Sequence, residues 1–267
     1  MAIDLSWYLG LIWVFSLFEK KMQMDPIWWI VLIGVHFLCF HALTIVVQKR
    51  YQLQNDETLS FLLSSVHCII AIWIVSFVVL FRDAEDSASV LVYYTTVGIG
   101  YFSADLFLMF TSAQFRPSLN DTAVVRRGKW MSLIGFGLHH VVVIGMASLY
   151  FFSDKILQSC GTMATRLLAC ECANPFINCN YFIKTYANRQ SESFRRLRLV
   201  NRVVMIGVVV YTRIYGILIV MAQLRVCLDL FVCSWWASQI LLSVLWILNV
   251  GWLFIMCRGF VSKSVAS

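Results

Sequence analysis

Runs of about 20 consecutive apolar residues recur along this chain of 267 residues, divided by short charged segments. At about 1.5 Å of rise per helical residue, each run is long enough to cross a hydrocarbon layer roughly 30 Å thick. Backbone inside lipid has no water to bond, so such a run satisfies its polar groups internally, as a helix. The alternation that a membrane β-barrel strand requires is absent. Only 13% of the residues are charged, against about 25% in a soluble domain, which excludes a single water-soluble globule. The expected fold class is all-α: a polytopic membrane protein.

Seven spans are predicted, near residues 27–47, 59–81, 89–113, 130–152, 162–183, 203–224 and 231–257. The apolar stretch 5–18 covers roughly 21 Å as a helix, which makes it an interfacial segment, a re-entrant one or an eighth span. No Lys or Arg precedes it, which argues against a cleaved signal peptide. The basic residues orient the bundle. Segments 48–58, 114–129, 184–202 and the C-terminus carry 2, 4, 6 and 2 Lys or Arg, whereas 19–26, 82–88, 153–161 and 225–230 carry 2, 1, 1 and 1. By the positive-inside rule the first set, and the C-terminus with it, faces the cytoplasm. The sequon at Asn120 falls on that side and is expected to stay unglycosylated.

The net charge of +7 is thereby accounted for without a nucleic-acid partner. Arg195, Arg196 and Arg198 either fix topology alone or attract anionic headgroups or the phosphates of coenzyme A. The nine Cys residues are scattered mostly through the spans. Cys160, Cys170, Cys172 and Cys179 show no zinc spacing, and Cys160 with Cys227 could form a disulfide only if their loops meet.

Ionisable groups inside a membrane are costly and mark candidate sites. Here they are His36, His41, His67, Asp105, His139, His140, Arg166, Glu171 and Arg213, with Asn174 and Asn178 as neutral companions. His67, Asp105, His139, His140, Arg213 and Glu171 all lie 8 to 12 residues from the cytoplasmic ends of their spans, one layer about 12–18 Å deep. Ser60, Ser64 and His67 share a helical face, as do Gly98, Tyr101 and Asp105, and Glu171, Asn174 and Asn178. Pro175 cannot bond the Glu171 carbonyl and is expected to kink that span. The layer is either a cavity or an internal network in which Arg213 pairs with Glu171 or Asp105. The neighbours His139 and His140 point about 100° apart, so one ring can face a cavity while the other bonds a helix. No H-x-x-x-H pair exists, so the doublet suits a general base better than a metal site, and no metal ligand is assigned. Nucleotide, hydrolase and EF-hand motifs are absent.

Five stretches, Ser64-Ser-Val-His67, Gly100-Tyr-Phe-Ser-Ala-Asp105-Leu, Leu138-His-His140, Glu171-Cys-Ala-Asn-Pro-Phe-Ile-Asn178 and Thr212-Arg213-Ile214, resemble the TLC-domain family, which includes the ceramide synthases. The likeness covers about residues 58–258 and is strongest to the small TLC domain-containing proteins. It implies six helices in a barrel around a polar, lipid-accessible cavity. Residues 1–57 would precede that domain and 259–267 would form a short cytoplasmic tail. By resemblance, His140 or His139 would be an acyl-transfer base; from the residues themselves, Asp105, Glu171 or the other His would hold its tautomer. Ser64, His67, Tyr101, Asn174, Asn178 and Arg213 would line the cavity. After the doublet the chain reads Val141-Val-Val-Ile-Gly-Met-Ala-Ser-Leu-Tyr150, departing from the synthase pattern, so ceramide synthesis itself is not implied.

The expected function is lipid metabolism or lipid homeostasis in an endomembrane such as the endoplasmic reticulum. The chain would be either an acyltransferase using acyl-CoA or a phospholipid as donor, or a non-catalytic lipid-binding regulator, sensor or cargo receptor. Membrane lipids are the expected partners, with a second copy or another membrane protein as further ones. A seven-span zinc amidase fits the polar count but not the histidine spacing, and a G-protein-coupled receptor lacks its motifs.

Overall fold

A computed structural model describes residues 26–51, 56–81, 84–112, 118, 120–151, 163, 165–186, 191–226 and 232–264. The 5–18 stretch, Cys160 and Cys227 lie outside the described residues. Every regular element among the described residues is helical. Helix α1 spans Pro26–Tyr51, α2 Asp56–Phe81, α3 Ala84–Thr111 and α4 Ala123–Phe151. Residues 165–169 are helical and run through a 3-10 turn, Cys170–Ala173, into α5, Asn174–Tyr186. Helix α6, Glu192–Val208, continues through a π-helical segment, Val209–Tyr215, into α7, Gly216–Val226, and α8 spans Val232–Ser264. The described residues therefore form seven helical rods. Four stretches, Ile30–Arg50, Ala123–Ser148, Glu192–Leu224 and Trp236–Arg258, are long and apolar enough to cross a bilayer.

Local chemistry explains the interruptions. Pro175 has no N–H for the Glu171 carbonyl, and the amide of Asn174 takes that carbonyl instead, tightening the rod into a 3-10 turn. The expected break at Pro175 is thus a change of helical pitch beside the Glu171 carboxylate. In the other rod the π segment adds a wide turn that carries Arg213 inward, where it is 4% exposed.

Packing is arranged with apolar groups outside and polar groups inside. Leu38, Ile69, Trp73, Val141, Ile240 and Phe254 are exposed, whereas His67, Asp105, His140, Glu171, Asn178, Arg213 and Asn249 are buried. In lipid, apolar side chains gain little by association, so the polar groups and close backbone packing must hold the rods together. Helix α2 packs against α3 and α5, α3 against α4, α4 against α8, and α8 against α7, while α5 packs against α6. Helix α1 lies against α3 and α2. Its approach to α3 is close: a Cβ on Gly100 would stand 2.5 Å from the Cβ of His36. Buried apolar clusters flank the polar layer, one built on Phe40, Val66, Ile70, Val97 and Tyr101 and another on Val142, Met146, Ile217 and Leu242.

Candidate functional site

Two cavities open between the rods. The larger, about 610 Å³, is a vestibule of mixed lining at the end of the bundle where α4 begins, with Phe61, Met109, Phe136, Ile177 and Trp252 among its apolar walls. Ser64, Tyr101, Asp105, His139, His140, Asn174, Asn178 and Arg213 line it, with Lys129 among the residues of that first part of α4. The smaller, about 130 Å³, is an apolar chamber reached by Tyr94, Val143, Met146, Leu167, Ile217 and Glu171. His139, Arg213 and Phe102 line both, so they form the wall between the two.

The histidine doublet divides as the 100° rotation between neighbours requires. His140 is engaged at both ring nitrogens. Its Nδ1 lies 2.6 Å from the Phe136 carbonyl and must donate to it; its Nε2 lies 2.9 Å from Asp105 Oδ2. Asp105 is completed by the Ser60 hydroxyl, which donates to Oδ1 at 2.8 Å. His139 has a different environment. Its Nδ1 is buried without a hydrogen-bond partner, and its ring packs on Trp252 at 5.2 Å and on Phe102 at 6.3 Å. Of the two candidate bases, only His139 keeps a ring nitrogen unspent.

A second network fills the layer from the opposite side. Asn174 Nδ2 donates to Glu171 Oε2 at 2.5 Å, and its Oδ1 accepts from Arg213 Nη2. Arg213 also donates from Nε to the Cys170 carbonyl at 3.2 Å and from Nη1 to Asn249 Oδ1 at 3.3 Å. Among the described residues Arg213 forms no direct ion pair with Asp105 or Glu171. The pairing expected from the sequence is relayed through the Asn174 amide instead. Asn178 donates to Ser65 at 2.9 Å and to Ser64 at 3.2 Å, tying α5 to α2.

His67 is fully buried and lines neither cavity. Its Nε2 lies 2.8 Å from the Tyr94 hydroxyl, its ring stacks on Tyr101 at 4.1 Å, and its Nδ1 faces Glu171 Oε2 at 3.6 Å. His36 and His41 belong to α1 and reach neither cavity, with His41 stacked on Phe37. Arg166 is exposed. At the vestibule, Lys129 pairs with Asp121 at 3.0 Å, and Asp121 also accepts from the Ser118 amide at 2.8 Å. The Ser118 amide and the Lys129 ammonium hold the Asp121 carboxyl below its usual range.

Sequence reading missed Asn249, Tyr94 and Trp252. Asn249 carried a signal, being an amide within the apolar run 231–257. The two aromatics did not, because rings are abundant throughout the spans.

With this geometry in place, one comparison decides the family. A family model for the TLC domain matches residues 55–258. The chain belongs to the TLC-domain family. No curated protein and no solved structure matches it. The match covers every residue of the vestibule and chamber described above and leaves α1 outside.

Proposed function

We propose that this TLC-domain protein handles an acyl lipid inside the membrane and transfers an acyl chain at His139. One observation carries the reading: a buried imidazole with an unspent Nδ1 stands on the wall between a vestibule that holds the polar cluster and a smaller apolar chamber. An acyl carbonyl must rest at such a boundary, with its chain in apolar surroundings and its polar partner in the vestibule. His139 would take the proton of a hydroxyl or amine acceptor as that acceptor attacks the carbonyl. It would return that proton to the leaving thiolate of coenzyme A or alkoxide of the lysophospholipid as the C–S or C–O bond of the donor breaks. Arg213, held in place by three acceptors, would face the charge that develops on the carbonyl oxygen. His140 and Asp105 would set the position of α4 against α3 and so of the neighbouring ring. The donor is read as acyl-CoA or a phospholipid.

The succession of packed rods, α2–α3–α4–α8–α7 and α6–α5–α2, supports a six-helix barrel with α1 outside it. The site is read as opening to the cytoplasm of an endomembrane such as the endoplasmic reticulum, with the C-terminus on the same side, since the basic segments 114–129 and 184–202 share that end.

Lipid profiling of cells expressing His139→Ala or His140→Ala against the parent chain tests this. His139→Ala is expected to remove the change in acyl composition that the parent causes, at normal protein level. If the parent and His139→Ala give the same profile, transfer at His139 is wrong. A specific lipid that co-purifies intact with both would then favour a binding role.

A further inference from the structure

We propose that His67, Cys68 and Glu171 form a zinc site. Their ligand atoms, one imidazole nitrogen, one thiol sulfur and one carboxylate oxygen, lie within 4.8 Å of one another, and all three residues are buried. The independent observation is at His67. Its Nδ1 is buried with no hydrogen-bond partner, although it faces a carboxylate oxygen. The 3.6 Å between His67 Nδ1 and Glu171 Oε2 is too long for a hydrogen bond. Two ligands about 2.0–2.1 Å from one tetrahedral zinc stand about 3.4 Å apart, close to what is seen.

The donor set selects the metal. Thiolate, imidazole and carboxylate together suit zinc, whereas calcium and magnesium take oxygen ligands. Histidine spacing gave no sign of this site, because His67 and Cys68 come from α2 and Glu171 from the 3-10 turn. Adjacent helical residues diverge by about 100°, so His67 and Cys68 would approach the metal from two directions and Glu171 from the facing rod. The surroundings supply what metal ligands need from a supporting layer. The Tyr94 hydroxyl holds His67 Nε2 at 2.8 Å and thereby directs Nδ1 to the site, and Asn174 holds the Glu171 carboxylate. Of the three, Glu171 alone borders the apolar chamber, so its carboxylate is the edge of the cluster nearest to a cavity. Three protein ligands with one open position is the arrangement of reactive zinc rather than of a closed structural site.

The test is metal analysis of the full chain purified in detergent without chelator, supplemented by titration with zinc or cobalt. One zinc per chain is expected. Binding should fall at least tenfold in Cys68→Ser and in Glu171→Gln and stay unchanged in Cys172→Ser, a thiol on the same turn outside the cluster. Cobalt should give a thiolate-to-metal charge-transfer band that Cys68→Ser abolishes and Cys172→Ser keeps, read on material that elutes as a single species. No metal bound after titration would overturn the proposal, and so would metal retained undiminished by Cys68→Ser and Glu171→Gln. Neither result depends on acyl transfer at His139, which lipid profiling tests separately.

Discussion

At the scale of single residues, two neighbouring histidines carry different burdens. His140 closes a chain from the Phe136 carbonyl to Asp105 and Ser60, so removing either end leaves a buried polar group unpaired. Breaking such a buried pair costs about 3–5 kcal/mol. Asp105→Ala and His140→Ala are therefore expected to lower the thermal midpoint in detergent sharply. The double variant should lose less than the sum of the two, because each single change already destroys the pair. His139→Ala removes no hydrogen bond and should cost clearly less than either, with its main effect on the lipid profile. Equal losses for both histidines would contradict this division. The sequence made the layer visible through residue type and depth, since charge in a membrane is rare enough to be informative. It could not separate His139 from His140. Which of two adjacent rings keeps an unbonded nitrogen depends on the rotation of α4, and that is set by partners on α3 and α8. For the same reason the Asn174 relay was hidden behind the simpler expectation of a direct Arg213 pair.

At the scale of elements, close approach and interrupted pitch do the positioning. A methyl group on Gly100 would meet the His36 Cβ at 2.5 Å and the Phe37 amide nitrogen at 3.0 Å. These atoms are backbone or next to it and cannot swing aside, so α1 would have to move. Gly100→Ala is expected to cost about 1–3 kcal/mol, the range for overpacking a filled contact. Gly98→Ala, whose nearest neighbours stand at 3.9 and 4.0 Å, serves as the matched control and should be nearly neutral in the same thermal measurement. Pro175 was legible as an interruption because its missing N–H has one consequence in any helix. The π segment at Val209–Tyr215 was not, since no residue type demands it, although it brings Arg213 to the wall of both cavities. Pro175→Ala restores an N–H that can compete for the Glu171 carbonyl. It should draw the 3-10 turn toward an α-helix and loosen the contact of Glu171 with Asn174, with a fall in stability when combined with Asn174→Ala that is smaller than additive.

At the scale of the whole molecule, the arrangement of charge is the ground for the proposed orientation of the vestibule. The all-helical membrane class follows from apolar length, which a bilayer fixes directly and which four described stretches reach. The side proposed for the vestibule rests on an imbalance of Lys and Arg that sequence alone supplies. Asn120 offers a direct reading of that side. It is exposed, it immediately precedes Asp121 and its Lys129 partner, and it lies near the start of α4 where the vestibule begins. A thiol placed there is accessible from whichever compartment the vestibule faces. The native cysteines described in the structure are buried or half-buried, so labelling above the parent level reports the new residue. In sealed vesicles with their cytoplasmic face outward, a membrane-impermeant maleimide should modify Asn120→Cys without permeabilisation, and added detergent should raise the yield little. Modification only after detergent would place the 114–129 segment in the lumen and invert the proposed orientation.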